Sequence, residues 1–168
     1  MSRISRRLVL LVVAVALLGA IGGGIATAAI VRATAVQRDV LSRFVNPRGA
    51  DGRTMYLQRV TIPAGTKLAA HFHDGSQIGA VTSGTLRYTV ERGGKVKVVD
   101  MDSAGQVPTV VHTILPGETY DVHTGQGVVE PSGMVHHVEA LPGADVVVYV
   151  SSLLVNGAPL SEKVIATA

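Results

Sequence analysis

The sequence predicts an all-β domain, a sandwich or barrel, behind an apolar N-terminal segment. Three observations carry this. From Met55 onward, short runs rich in Val, Thr, Ile and Tyr alternate with Gly and Pro punctuation. After residue 54 no stretch keeps a long helical period. Before the domain, Arg3, Arg6 and Arg7 precede an uncharged run from Leu8 to Val31.

The expected strands are Met55–Ile62, Lys67–His73, Gln77–Ser83, Leu86–Arg92, Val96–Met101, Thr109–Leu115, Tyr120–His123, Gly127–Glu130, Val135–Ala140 and Val146–Leu154. Between them stand turn signals: Pro63-Ala64-Gly65, Asp74-Gly75, Ser83-Gly84, Gly93-Gly94, Pro116-Gly117, Pro131-Ser132-Gly133 and Pro142-Gly143. Many short strands at this spacing indicate a sandwich or barrel. The tail from 155 to 168 reads equally as a strand, a short helix or a frayed end.

Residues 1–28 read as an address. A basic stretch before an apolar run, with Ala26-Thr27-Ala28 as a small-residue cleavage site, has the form of a signal peptide. The 24 uncharged residues are also long enough to span a bilayer as an uncleaved anchor helix. Gly22-Gly23-Gly24 weakens such a helix and favours cleavage. Both readings put the rest of the chain outside the cytoplasm, secreted or anchored, and leave the membrane to the N-terminal segment alone. Ser5-Arg6-Arg7 also resembles a twin-arginine export signal, departing from it at Val9 and Leu11. Residues 29–54 read as a linker leading into the domain, with a short helix at Val36–Val45 and turns at Asn46-Pro47 and Asp51-Gly52.

Composition removes several functions. There is no cysteine in the 168 residues, which excludes disulfides, thiolate metal sites and cysteine nucleophiles. With no Trp, two Phe and four Tyr, no stacking platform for single-stranded nucleic acid is expected. The net charge of +3 resides in the N-terminal segment, since residues 29–168 hold twelve basic and twelve acidic side chains. A nucleic-acid partner is therefore not expected. There is no Ser/His/Asp signature and no phosphate-binding glycine loop.

The chemistry concentrates in histidines. His71 and His73 lie two apart on an expected strand, so both point to one face and Phe72 to the other. Two imidazoles on one face are half of a typical metal site. Gln77 follows a reversal at Asp74-Gly75-Ser76, and His136 follows Pro131-Ser132-Gly133.

These residues resemble the two motifs of the cupin superfamily. Gly65, His71-Phe72-His73, Gln77 and Gly84 follow the first motif, G-x5-H-x-H-x3,4-E-x6-G. Gly125, Pro131-Ser132-Gly133, His136 and Ala140 follow the second, G-x5-P-x-G-x2-H-x3-N. The departures are Gln77 for Glu and Ala140 for Asn. The match runs from Gly65 to Ala140, within a domain of about 55–154. The stretch Thr85 to Thr124 between the motifs is longer than in minimal cupins.

The resemblance implies a jelly-roll β-barrel and a mononuclear divalent metal (Fe, Mn, Ni, Zn or Cu). Carried over, His71, His73 and His136 become ligands and Gln77 the fourth. It also implies a small-molecule ligand or substrate, oxygen-rich such as an organic acid or sugar, and a homodimer through strand exchange. Gln77 is neutral, so the site has one negative charge fewer than usual, which tilts the reading from oxygenase towards Lewis-acid isomerase or lyase chemistry. Gly65, Gly84 and Gly133 are expected where a turn needs positive φ or close backbone approach.

Other polar residues read more blandly. His137 should face away from His136, and His112 and His123 lie outside the motifs. Glu130, before Pro131, and Tyr88, after Gly84, read either as an acid or base at the mouth or, more commonly, as solvated or packing groups; Glu139 lies near the motif with nothing beyond position to single it out. Three function classes remain open: a metalloenzyme, a non-catalytic ligand- or metal-binding module, and a metal-free assembly cupin. They separate by metal content and by whether a ligand is chemically changed.

Overall fold

The computed structural model describes residues 35–101 and 108–164. The N-terminal segment read as signal or anchor lies outside the described residues, as do residues 165–168. Twelve strands are described: β1 Gln37–Val45, β2 Arg53–Ile62, β3 Lys67–Phe72, β4 Gly75–Ser83, β5 Thr85–Arg92, β6 Val96–Asp100, β7 Thr109–Ile114, β8 Thr119–His123, β9 Gln126–Glu130, β10 Val135–Ala140, β11 Val146–Val155 and β12 Glu162–Lys163. The ten expected strands are β2 to β11, with small changes at their ends. Among the described residues no helix is long and apolar enough to cross a membrane.

The strands form two antiparallel sheets. One has seven strands in the order β1-β2-β11-β4-β9-β6-β7, the other five in the order β12-β3-β10-β5-β8. Strands distant in sequence become neighbours in both. Alternate residues of each strand turn inward. On β11 the inward phase carries Val146, Val148, Ser152 and Leu154, all buried. On β2 it carries Gln58, Val60 and Ile62. The resulting core is dominated by Val, Ile and Leu, with Tyr88 and Met134 among its largest buried side chains. These branched residues suit a pleated, half-buried surface.

The motif glycines behave as expected: Gly65, Gly84 and Gly133 all have positive φ, between 72° and 77°. Gly84 shows why. It links β4 to β5, and a Cβ there would stand 2.8 Å from the Asp145 carbonyl oxygen. Only glycine meets both the turn and the close approach.

One local expectation is overturned. Val36–Val45 is not a short helix; Gln37–Val45 is β1, an edge strand paired with β2 from Gln37↔Thr61 to Val45↔Thr54, with a register shift between Val40 and Ser42. The open edge of β2 offers this segment a full ladder of backbone hydrogen bonds, and tertiary context overrides a weak local preference. The tail also finds a partner: β12 pairs with β3, Lys163 opposite His71 and Glu162 opposite Phe72.

Candidate metal centre

The structure brings His71, His73 and His136 together. His71 is on β3, His73 just past its end, and His136 on β10, directly across the ladder from His71. All three are buried. Ring centroids lie 5.2 Å apart for His71 and His73, 4.3 Å for His71 and His136, and 5.3 Å for His73 and His136. One nitrogen from each falls within 4.8 Å of the others.

The other ring nitrogens are turned away and held. His71 Nδ1 donates to the Ala69 carbonyl at 2.8 Å and His73 Nδ1 to the Leu160 carbonyl at 2.7 Å. His136 Nδ1 faces the Met134 carbonyl at a longer 3.5 Å. An Nδ1 that donates carries the ring proton, which leaves the Nε2 lone pair free. Burial also keeps the rings neutral. Loss of hydration is the largest cause in each case, lowering His73 to about 4 and His136 to about 3. His71 is lowered for the same reason.

These side chains fit a divalent metal. Three nitrogens on one ion at about 2.1 Å each lie roughly 3–3.5 Å from one another. The three nitrogens, all within 4.8 Å of one another, approach that spacing. Neutral imidazoles with carbonyl-oriented Nδ1 protons are the donor type that Zn, Mn, Fe, Ni and Cu accept.

The seven-stranded sheet supplies the facing wall, and here sequence reasoning missed most of the polar groups. Gln77 on β4 stands directly opposite Ser152 on β11 and Glu130 on β9. Ser152 Oγ donates to Gln77 Oε1 at 2.9 Å, and Gln77 Nε2 donates to Glu130 Oε2 at 3.0 Å. Upstream, Arg38 Nη1 donates to Gln58 Oε1 at 3.0 Å, and Gln58 Nε2 donates to Ser152 Oγ at 2.8 Å. The row Arg38, Gln58, Ser152, Gln77, Glu130 thus crosses β1, β2, β11, β4 and β9 in their spatial order.

Its direction follows from its ends. A guanidinium only donates and a carboxylate only accepts, so every amide and hydroxyl between them must point its donor towards Glu130. Gln58, Ser152, Gln77 and Glu130 are all buried. A visible sequence signal was a polar residue in the inward phase of a strand otherwise built of Val, Ile and Leu, as at Gln58 and Ser152.

Of the two readings of Glu130 and Tyr88, the solvated one does not hold: both are buried and line the pocket. The Glu130 carboxylate is buried and its Oε2 lies 4.0 Å from His73 Nε2. Tyr88, 1% exposed, stacks on His136 with centroids 4.8 Å apart and planes 14° from parallel. Its hydroxyl meets no acceptor in good hydrogen-bond geometry, and Glu130 is its hydrogen-bonding neighbour at longer range. Burial pushes that phenol well above its ordinary range, and the charge of Glu130 adds to the effect. Arg38, unforeseen in the sequence, is partly buried, and burial lowers its pKa against the opposing influence of Glu130.

Arg38, Gln77, Tyr88, Glu130 and the three imidazoles line one pocket with a cavity volume of about 60 Å³. They give it a polar end, while Val60, Ile62, Leu68, Val138 and Val148 give it apolar walls. The remaining histidines lie elsewhere. His137 faces outward and contacts Glu91 Oε1 at 2.6 Å. His112 stacks on Tyr120, and His123 faces Thr85 at an exposed position.

No protein-family model matches the sequence, and no curated protein is detectably similar to it. Solved structures do resemble the chain. A cupin superfamily protein from Desulfitobacterium hafniense is 9% identical, with 73% of this chain and 81% of that one covered at a TM-score of 0.48. KdgF from a Halomonas species is 18% identical, with 72% and 83% covered at 0.46. A cupin 2 domain-containing protein from Halorhodospira halophila is 9% identical, with 78% and 71% covered at 0.46. On its own elements, with two facing antiparallel sheets and the glycines, proline and histidines of both motifs in place, the described domain is a cupin fold.

Proposed function

We propose that this cupin is a metal-binding protein that holds a small organic acid or sugar against one divalent metal. The ligands are His71, His73 and His136, with a fourth from the Gln77–Glu130 pair. The observation that supports this best is the donor set. Three buried, neutral imidazoles converge within 4.8 Å, and His71 and His73 each have Nδ1 committed to a carbonyl. Buried imidazoles used only for packing have no reason to converge with their lone pairs free.

A divalent metal at this place supplies Lewis acidity towards an oxygen of the ligand. The rest falls to the chain's own groups. Arg38 makes one hydrogen bond within the row, to Gln58, and its fork suits a ligand carboxylate. The buried Tyr88 hydroxyl, met by no acceptor in good geometry, is a donor available to a ligand oxygen. The apolar walls accept a short carbon skeleton and exclude water. We place the domain outside the cytoplasm, on the strength of Arg3, Arg6 and Arg7 ahead of the apolar run Leu8 to Val31.

The test is metal content by elemental mass spectrometry on the full chain purified without chelator, in detergent where the N-terminal segment requires it. Near-stoichiometric metal is expected, with loss in His71→Ala/His136→Ala. Protein that stays empty after exposure to Fe(II), Mn(II), Ni(II) and Zn(II) sinks the reading. Turnover is then sought among small hydroxy acids and sugar acids.

A further inference from the structure

We propose that Glu130, not Gln77, supplies the anionic protein ligand of this centre, and that Gln77 is a positioning residue that holds the Glu130 carboxylate. The inference rests on the metal-binding reading above and departs from the ligand set that the motif implies. It begins with the missing charge. The first motif has a neutral side chain at position 77, where its pattern has a carboxylate. One strand away, at the register position directly across the β4–β9 ladder, stands Glu130. The negative charge is present in this pocket, displaced by one strand.

Three further observations favour the displaced charge as the ligand. First, both ends of the Gln77 amide are engaged. Its oxygen accepts from Ser152 Oγ at 2.9 Å and its nitrogen donates to Glu130 Oε2 at 3.0 Å. Turning the amide over would break both bonds and set the Gln77 oxygen against a carboxylate. The one-way row from Arg38 resists that reversal at every step.

Second, among the described residues Glu130 makes no ion pair with an arginine or lysine. Its close neighbours among the described residues are the Gln77 amide, the Tyr88 hydroxyl and the His73 imidazole, the last 4.0 Å away. Arg38 is bonded to Gln58 at the far end of the row. A buried carboxylate is ordinarily paired with a cation or bound to a metal. Third, the carboxylate lines the same pocket as the imidazoles, on the wall that faces them, with its Oε2 4.0 Å from His73 Nε2.

The pair also explains the glutamine. A glutamate at 77 would face the Glu130 carboxylate at hydrogen-bond distance with two acceptors and no amide donor between them. One carboxylate and one amide give a pair that satisfies itself. Gln77 is thus the complement of Glu130, the amide that orients a carboxylate ligand.

Co(II) is the probe. Its affinity is read by competition against a chromophoric chelator and its ligand field by the visible d–d bands. The full-length proteins are wild type, Glu130→Gln, Gln77→Ala and the exchange Gln77→Glu/Glu130→Gln. Thermal melting of each without metal reports folding separately. Glu130→Gln is expected to weaken Co(II) at least about tenfold and to shift the bands. Gln77→Ala is expected to weaken it less and to keep the wild-type band pattern. The exchange is expected to recover most of the affinity, and it carries the test should Glu130→Gln fail to fold.

An unchanged affinity and spectrum in Glu130→Gln overturns the assignment. So does a band shift in Gln77→Ala, which would return the ligand role to Gln77. Wild-type protein that binds no Co(II) overturns the metal-binding reading itself, an outcome distinct from either.

Discussion

Lowering the pH from 7.5 to 5.0 on chelator-stripped protein should cost the barrel about 4 kcal/mol. The source is His73 and His136. In the unfolded chain each titrates near 6.5; in the barrel, loss of hydration lowers them to about 4 and about 3. Between those limits the unfolded state binds more protons than the folded one, so stability falls as pH falls and is flat above about pH 7. At pH 5 the unfolded imidazoles are almost fully charged and the folded ones almost fully neutral. Each then contributes a loss of roughly 2 kcal/mol, a figure that barely changes if the folded values move lower still. His71 is shifted the same way and adds to the loss.

Against a domain stability of about 5–15 kcal/mol this is a large fraction. Urea denaturation at both pH values measures it, with His73→Gln/His136→Gln as the control that should lose most of the drop. Midpoints that agree at pH 7.5 and 5.0 would refute the argument. So would a control that falls as steeply as the wild type, since the titrating groups would then lie elsewhere.

Four other outcomes follow from the same geometry. Ser152→Ala leaves the Gln58 amide nitrogen and the Gln77 oxygen without partners, and should destabilise the protein by about 2–4 kcal/mol in urea titrations. Tyr88→Phe removes a buried hydroxyl whose contact with Glu130 is at best weak, so the melting temperature of the free protein should change little, while calorimetric affinity for the small-molecule ligand falls. Gly75→Ala sets a Cβ 2.1 Å from the Leu153 carbonyl oxygen where φ is 154°, so β4 must part from β11. A loss above about 4 kcal/mol is expected by denaturant titration, with failure to accumulate as the extreme case. Ending the chain after Gly157 removes the Leu160 carbonyl that orients His73 and the β12 partner of β3. Metal affinity should fall about tenfold by chelator competition, while the metal-free melting temperature falls only modestly.

Most of the barrel was legible because its signals are local. Each strand from β2 to β11 announces itself by branched residues between Gly and Pro turns, and the motif glycines mark turns that need positive φ. β1 was not legible as a strand. Val36, Val40, Phe44 and Val45 recur at helical spacing, and the force that straightens them is the unpaired edge of β2, absent from the segment itself. The tail was ambiguous for the same reason, since β12 exists by pairing with β3.

The candidate site divides along a similar line. Two histidines two apart on a strand must share a face, whatever the rest of the chain does, so the sequence by itself determined that His71 and His73 converge. The motif pattern added His136 and the neutral residue at 77. What completes the pocket was decided only in three dimensions. Arg38, Gln58, Ser152, Gln77 and Glu130 lie up to 114 positions apart along the chain, and only the sheet order β1-β2-β11-β4-β9 sets them side by side. A hydrogen bond has a direction and a short reach, and neither is written in a residue's own neighbourhood. The sequence therefore names the imidazoles, while the fold decides where the negative charge that faces them comes from.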